Sequence, residues 1–181
     1  MKKALLVVWV FSPLYNLFAQ NLVPNPSFEN NSNGGCPTAI GQIFHAAPWQ
    51  WPAVHSGQSD YFSTCGTGGT DVPSNNLGYE FPATGEAYAG LYGWSAYNNG
   101  AGNRAYLQTQ LLSPLVNGYL YRVSFKCSYE NTTVHNSYPI VTDAMGIYLG
   151  TAAPAVAPNP FGPLPLVPQF QSPVEIVPTG W

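Results

Sequence analysis

A chain of 181 residues with five Lys and Arg against eight Asp and Glu carries a formal charge of −3, and only 7% of its residues are charged. That balance excludes a nucleic-acid binder, which needs basic surface to displace counterions from phosphates. With 18 Gly, 18 Pro and 14% aromatic residues, the composition also excludes a disordered chain, which is charge-rich and aromatic-poor, and points to an all-β domain.

Met1-Lys2-Lys3, the apolar run Ala4 to Phe18 and the small residue Ala19 form a secretory signal peptide over residues 1–19, with cleavage after Ala19. The run is too short for a comfortable membrane span, and Pro13 and Asn16 interrupt it. An uncleaved N-terminal anchor is the alternative. Residues 20–181 then form one domain that keeps Arg104, Arg122 and Lys126, three cations against eight acids, for a charge of −5. No later segment has the length and apolarity of a bilayer span.

Residues 30–85 are rich in Gly, Ser, Thr, Asn and Pro and read as long loops. Ordered loops of that length are uncommon unless functional or stapled. Cys36 and Cys65 both sit in Gly/Thr-rich loop sequence, and export would carry them to an oxidising compartment, so we pair them. Such a bridge closes about 29 residues and stabilises by roughly 3 kcal/mol. A zinc site is the rival reading, but the chain has no CxxC and no nearby His pair.

Glu86 to Tyr92 reads as a strand entered through Thr84-Gly85, its small residues suited to close sheet packing. Arg104 to Leu112 is a second strand, joined through the turn signal Asn117-Gly118 to the clearest one, Tyr119 to Glu130. There, Tyr119, Tyr121, Val123, Phe125, Cys127 and Tyr129 alternate with polar partners, the period of a half-buried antiparallel strand. This pattern predicts Cys127 as a small buried hydrophobe and puts Arg122, Lys126 and Glu130 in water. Ile140 to Leu149 is a further strand whose apolar face carries Asp143. A carboxylate there needs solvent, hydrogen bonds or a metal; the readings are a strand-mouth acid bonded to backbone amides, a calcium ligand, or an active-site acid. Residues 151–173 form a Pro-dense excursion without regular structure, ending near a short strand, Val174 to Val177.

No catalytic centre is expected. His45, His55 and His135 show no HExxH spacing, no serine lies in a GxSxG elbow, and the eight acids are scattered. Among aromatic residues, Trp49 and Trp51 flank Gln50 in a Pro-bounded loop and either cover the end of the core or stack on a ligand. Tyr92, Trp94 and Tyr97, beside polar loop residues and Arg104, are candidates for stacking on a sugar face while Arg104 bonds its hydroxyls.

The segment Asn25-Pro26-Ser27-Phe28-Glu29 resembles the opening strand of galactose-binding-like jelly rolls, a superfamily that includes many carbohydrate-binding modules. The ordered series Asn21 to Glu29, Cys36-Pro37-Thr38, Gly41-Gln42-Ile43, Asp60 to Cys65, Val72 to Asn75, Gly78-Tyr79, Gly85 to Gly90 and Asp143 to Gly146 is similar to a family of exported Gram-negative proteins that use type IX secretion. Members often carry sorting tails or outer-membrane-protein-A-like domains. The resemblance implies an antiparallel β-sandwich of jelly-roll type, incomplete at Trp181, secreted or displayed at the cell surface or outer membrane. It also implies a structural calcium with Glu29 as a ligand, although the usual partner acid would lie beyond Trp181; a capping carboxylate bonded to loop amides is the other reading of Glu29. The leading expectation is a non-catalytic extracellular or cell-surface binding module, with a glycan as one candidate ligand. The alternatives are a structural envelope module positioning a downstream anchoring domain, and an ancillary or catalytic domain of a secreted hydrolase.

Overall fold

The computed structural model describes residues 20–31, 34–52, 58–93, 104–128, 145–154 and 163–172. In chain order they carry a 3₁₀ turn, Ile43–Ala46, and the strands β1 (Asp60–Ser63), β2 (Ser74–Asn75), β3 (Gly78–Tyr79), β4 (Ala87–Gly90), β5 (Gly146–Ile147) and β6 (Phe170–Gln171). The strands pair antiparallel as β1–β4, β2–β3 and β5–β6, so the regular structure is mainly β. Among the described residues no helix is long and apolar enough to cross a membrane.

The core forms where β1 meets β4. Tyr61 faces Ala89, Phe62 faces Tyr88 and Asp60 faces Gly90. Strand alternation sends Tyr61 and Ser63 to one side and Asp60 and Phe62 to the other. Tyr61 joins Ile43, Ala46 and Ala87 in the buried cluster, with Phe28, Trp49, Trp51, Ala89 and Leu107 packed around it. The small side chains of Ala87 and Ala89 leave room for the Tyr61 ring, whose hydroxyl donates to Phe28 O at 2.9 Å. On the opposite face Phe62 packs against Tyr88 with centroids 5.2 Å apart. A Cβ at Gly90 would come within 2.6 Å of the Phe62 ring, so that close approach needs glycine. Burying each of Tyr61, Phe62 and Ile43 is worth about 1.5–3 kcal/mol.

Asn25 to Asn30 fold as a knot against this core. Phe28 N donates to Asn25 O at 3.1 Å, and Asn25 and Phe28 take positive φ values of 42° and 65°. Asparagine tolerates that region because its short amide bonds locally. Asn25 Nδ2 donates to the carbonyls of Asn30, Ala46 and Ala47 at 3.0–3.1 Å, and its Oδ1 accepts from Asn30 N. The amide thereby adds a bond at the end of the 3₁₀ turn, where Ala46 O also accepts Trp49 N–H at 3.2 Å. Phe28, which pays more for positive φ, is held by the Tyr61 hydroxyl on its carbonyl and by Trp49, 5.2 Å away.

Cys36 and Cys65 form the disulfide, Cα atoms 5.4 Å apart, and staple the loop before the 3₁₀ turn to the end of β1. Around it, Thr67 N donates to Pro37 O at 2.9 Å and Thr70 Oγ1 donates to Pro37 O at 3.0 Å.

Several expected elements are corrected. Only Ala87–Gly90 of the Glu86–Tyr92 strand is paired. Arg104–Leu112 forms no strand: Gln108 makes a single antiparallel bridge to Gln50, while Ala105 N bonds Tyr92 O and Leu112 N bonds Leu22 O. Its backbone–backbone bonds run to three separate partners, and none joins it to the described part of the next segment. Residues 119–128 belong to no strand, and Tyr119, Leu120, Tyr121, Val123 and Phe125 are exposed. The alternation is present, but none of the described residues supplies a facing sheet or a neighbouring ladder to bury it. Cys127 is a free thiol and half-buried rather than a core residue. The loop region 30–85 holds three strands that its turn-rich composition conceals. Within the Pro-dense stretch, β6 fits between Pro168 and Pro173, and Gln169 lengthens its pairing by bonding both N and O of Leu149 at 2.9 Å. The expected signal peptide, the first part of the Ile140–Leu149 strand and the Val174–Val177 strand lie outside the described residues.

Candidate functional site

A 3₁₀ turn places residues i and i+3 on one face. Ile43 and Ala46 therefore point into the core, and Phe44 and His45 face out. Phe44 is 48% exposed. It is buttressed rather than loose: His45 lies against it with centroids 4.7 Å apart, and Trp51 meets it edge-on at 5.7 Å and 61°. His45 Nδ1 stands 3.1 Å from Gly35 O, a bond its Nδ1–H tautomer donates. The ledge is thus tied to the stapled loop on one side and, through Trp51, to the core on the other. A second exposed pair, Tyr79 and Phe81, meets at 5.7 Å and 90° beside β3.

Of the expected ligand-contacting residues, Trp49 and Trp51 pack on the core cluster. The Trp49 indole N–H is spent on Asn25 O at 2.8 Å, whereas Trp51 reaches the surface against Phe44. Tyr92 accepts the Ala105 amide through its carbonyl, and Arg104 lies half-buried one residue before that contact. Trp94 and Tyr97 lie outside the described residues. Sequence reasoning missed Phe44, because a single exposed ring in a four-residue turn leaves no periodic signal.

Of the acids, Glu29 accepts the backbone amides of Glu86 at 2.9 Å and Ala87 at 3.3 Å. It is a cap on the start of β4. Gly85 has φ +67°, and a Cβ there would run into the Glu29 carboxylate, so glycine lets the two meet. Among the described residues no group of three or more His, Cys, Asp and Glu side chains gathers. Asp143 lies outside the described residues.

Asp60 is the acid that stands out. It is 5% exposed, and its Oδ1 accepts Gly41 N–H at 2.6 Å. Burial raises its pKa from 3.8 to about 6, against the smaller lowering effect of the Gly41 bond. Burial likewise pushes the Tyr88 hydroxyl up to about 12, although Asn75 Nδ2 donates to it at 2.8 Å. A buried acid with an elevated pKa marks a functional-site candidate in general; the bonded and paired neighbours of this one are structural, Gly41 N–H on its carboxylate and Gly90 across the β1–β4 pair.

No family model matches this chain, and neither a curated protein nor a solved structure does.

Proposed function

We propose that this chain is a non-catalytic binding module that works outside the cell or at its surface, with the Phe44 ledge as its ligand-contacting surface and a glycan as the ligand. The carrying observation is a half-exposed Phe44 ring held in one orientation by His45 and Trp51. A pre-oriented ring stacks on the apolar face of a sugar at little ordering cost. The Cys36–Cys65 disulfide suits an oxidising, extracellular setting. The jelly-roll sandwich, the outer-membrane or secreted location, and a contribution from Tyr92, Trp94, Tyr97 and Arg104 belong to the same proposal.

A printed glycan array, followed by affinity electrophoresis in the polysaccharides it selects, tests the reading. Wild-type protein should be retained, and Phe44→Ala should lose retention while staying folded, at a stability cost of about 1 kcal/mol for a half-buried ring. Absence of retention on every glycan, or unchanged retention by Phe44→Ala, would overturn it. The second reading, a structural envelope module, is favoured by the exposed apolar stretch from Leu115 to Phe125, which fits a chain built to sit against other protein.

A further inference from the structure

We infer that Cys36–Cys65 is an exchangeable disulfide, opened by a low-molecular-weight thiol that attacks Cys36 and expels Cys65. This goes beyond the Phe44 ledge and does not depend on it. Both cysteines are exposed, which puts the bridge within reach of a solute. Exposed disulfides are more readily reduced than buried structural ones. Polar groups also gather on one of the two sulfurs. Asn31 Nδ2–H donates to Cys65 Sγ at 3.7 Å, and Ser63 Oγ lies 3.4 Å from the same atom. A disulfide sulfur carries no hydrogen, so the Ser63 hydroxyl is the donor in that contact. Cys65 N–H in turn donates to Ser63 Oγ at 3.4 Å, which closes a small ring around the sulfur.

Hydrogen bonds to a charged form favour that form, so these donors favour a thiolate at Cys65. The sulfur that makes the better thiolate is the better leaving group in exchange. The donors are in place before any reaction. Ser63 is buried at the end of β1, in register with Ala87 of β4. The backbone carbonyl of Asn31 accepts Gly34 N–H at 3.1 Å and Gly35 N–H at 2.9 Å, which fixes the residue that presents the amide. In the exchange step the thiolate sulfur of the small thiol bonds to Cys36 Sγ. The Cys36–Cys65 bond breaks, and its electron pair goes to Cys65 Sγ, facing Asn31 and Ser63. The small thiol is oxidised to the disulfide level, and Cys65 is reduced to a thiolate. The product is a mixed disulfide on Cys36.

Reduced glutathione added to the folded full chain at mildly alkaline pH is the probe. Free thiols are trapped with N-ethylmaleimide, and the peptides are mapped by mass spectrometry. Glutathione should be found on Cys36 and the maleimide on Cys65, with Cys36 favoured about tenfold as the site of the adduct. Asn31→Ala, which takes the amide from the sulfur, should slow opening and move adduct toward Cys65. Asn31→Asp, which sets a negative charge beside the sulfur, should slow opening further. The wild-type distribution decides the case even where a variant fails to fold. The inference fails if the bridge opens only in unfolding concentrations of urea, or if glutathione is shared equally or sits mainly on Cys65. It fails equally if both folded variants open at the wild-type rate.

Discussion

Replacing Asp60 by Asn isolates the cost of holding a carboxylate between β4 and the stapled loop. In the folded protein the carboxyl titrates at about 6 instead of 3.8, so the native state binds its proton more tightly than the unfolded chain does. Its stabilising contribution is therefore fully present below pH 3.8 and is lost as pH rises through about 6. Just over two factors of ten in proton affinity correspond to about 3 kcal/mol. Asparagine keeps an oxygen for Gly41 N–H, now at 2.6 Å from Asp60 Oδ1, and carries no charge at any pH. Urea unfolding of both proteins at pH 4 and pH 7.5 should show the variant gaining stability relative to wild type by about 2.4 kcal/mol between the two conditions, the rest having been lost already by pH 4. The other seven acids act alike in both proteins and cancel in the difference. Parallel pH profiles for the two proteins would show that Asp60 is hydrated in solution and would refute the reasoning.

Two further outcomes follow from the same contacts. Cys36→Ser with Cys65→Ser should lower unfolding stability by roughly 3 kcal/mol, read by urea titration without reductant, and a loss under about 1 kcal/mol would show that the Pro37–Thr67–Thr70 hydrogen bonds hold the loop unaided. Gly85→Ala should cost about 1–3 kcal/mol through positive φ and the clash with Glu29, and Glu29→Ala in the same chain should relieve part of it; strictly additive effects in that double-mutant cycle would mean the two do not meet.

What could be read from the residues depended on whether their signal was local. The Cys36–Cys65 pair was legible because both cysteines announce themselves in loop sequence. Ala87–Gly90 was legible because its small residues, entered through Thr84-Gly85, suit close sheet packing. β1 was not, since all four of its residues are buried and no polar face marks its period. Residues 119–128 failed in the opposite way: their alternation is strong, but a strand also needs a neighbour to bond, and alternation says nothing about where that neighbour comes from. Glu29 was legible as a carboxylate with work to do, and its partners 57 and 58 residues away were not. Phe44 was invisible because its exposure depends on the eclipsed geometry of a single turn.

The contacts are unevenly shared along the chain, and that bears on how the ledge can bind. The disulfide loop, the Asn25 amide and the core cluster of the β1–β4 pair all meet the turn that carries the ledge. A ligand meeting Phe44 finds a surface already fixed, so contact energy there is not consumed by ordering the protein.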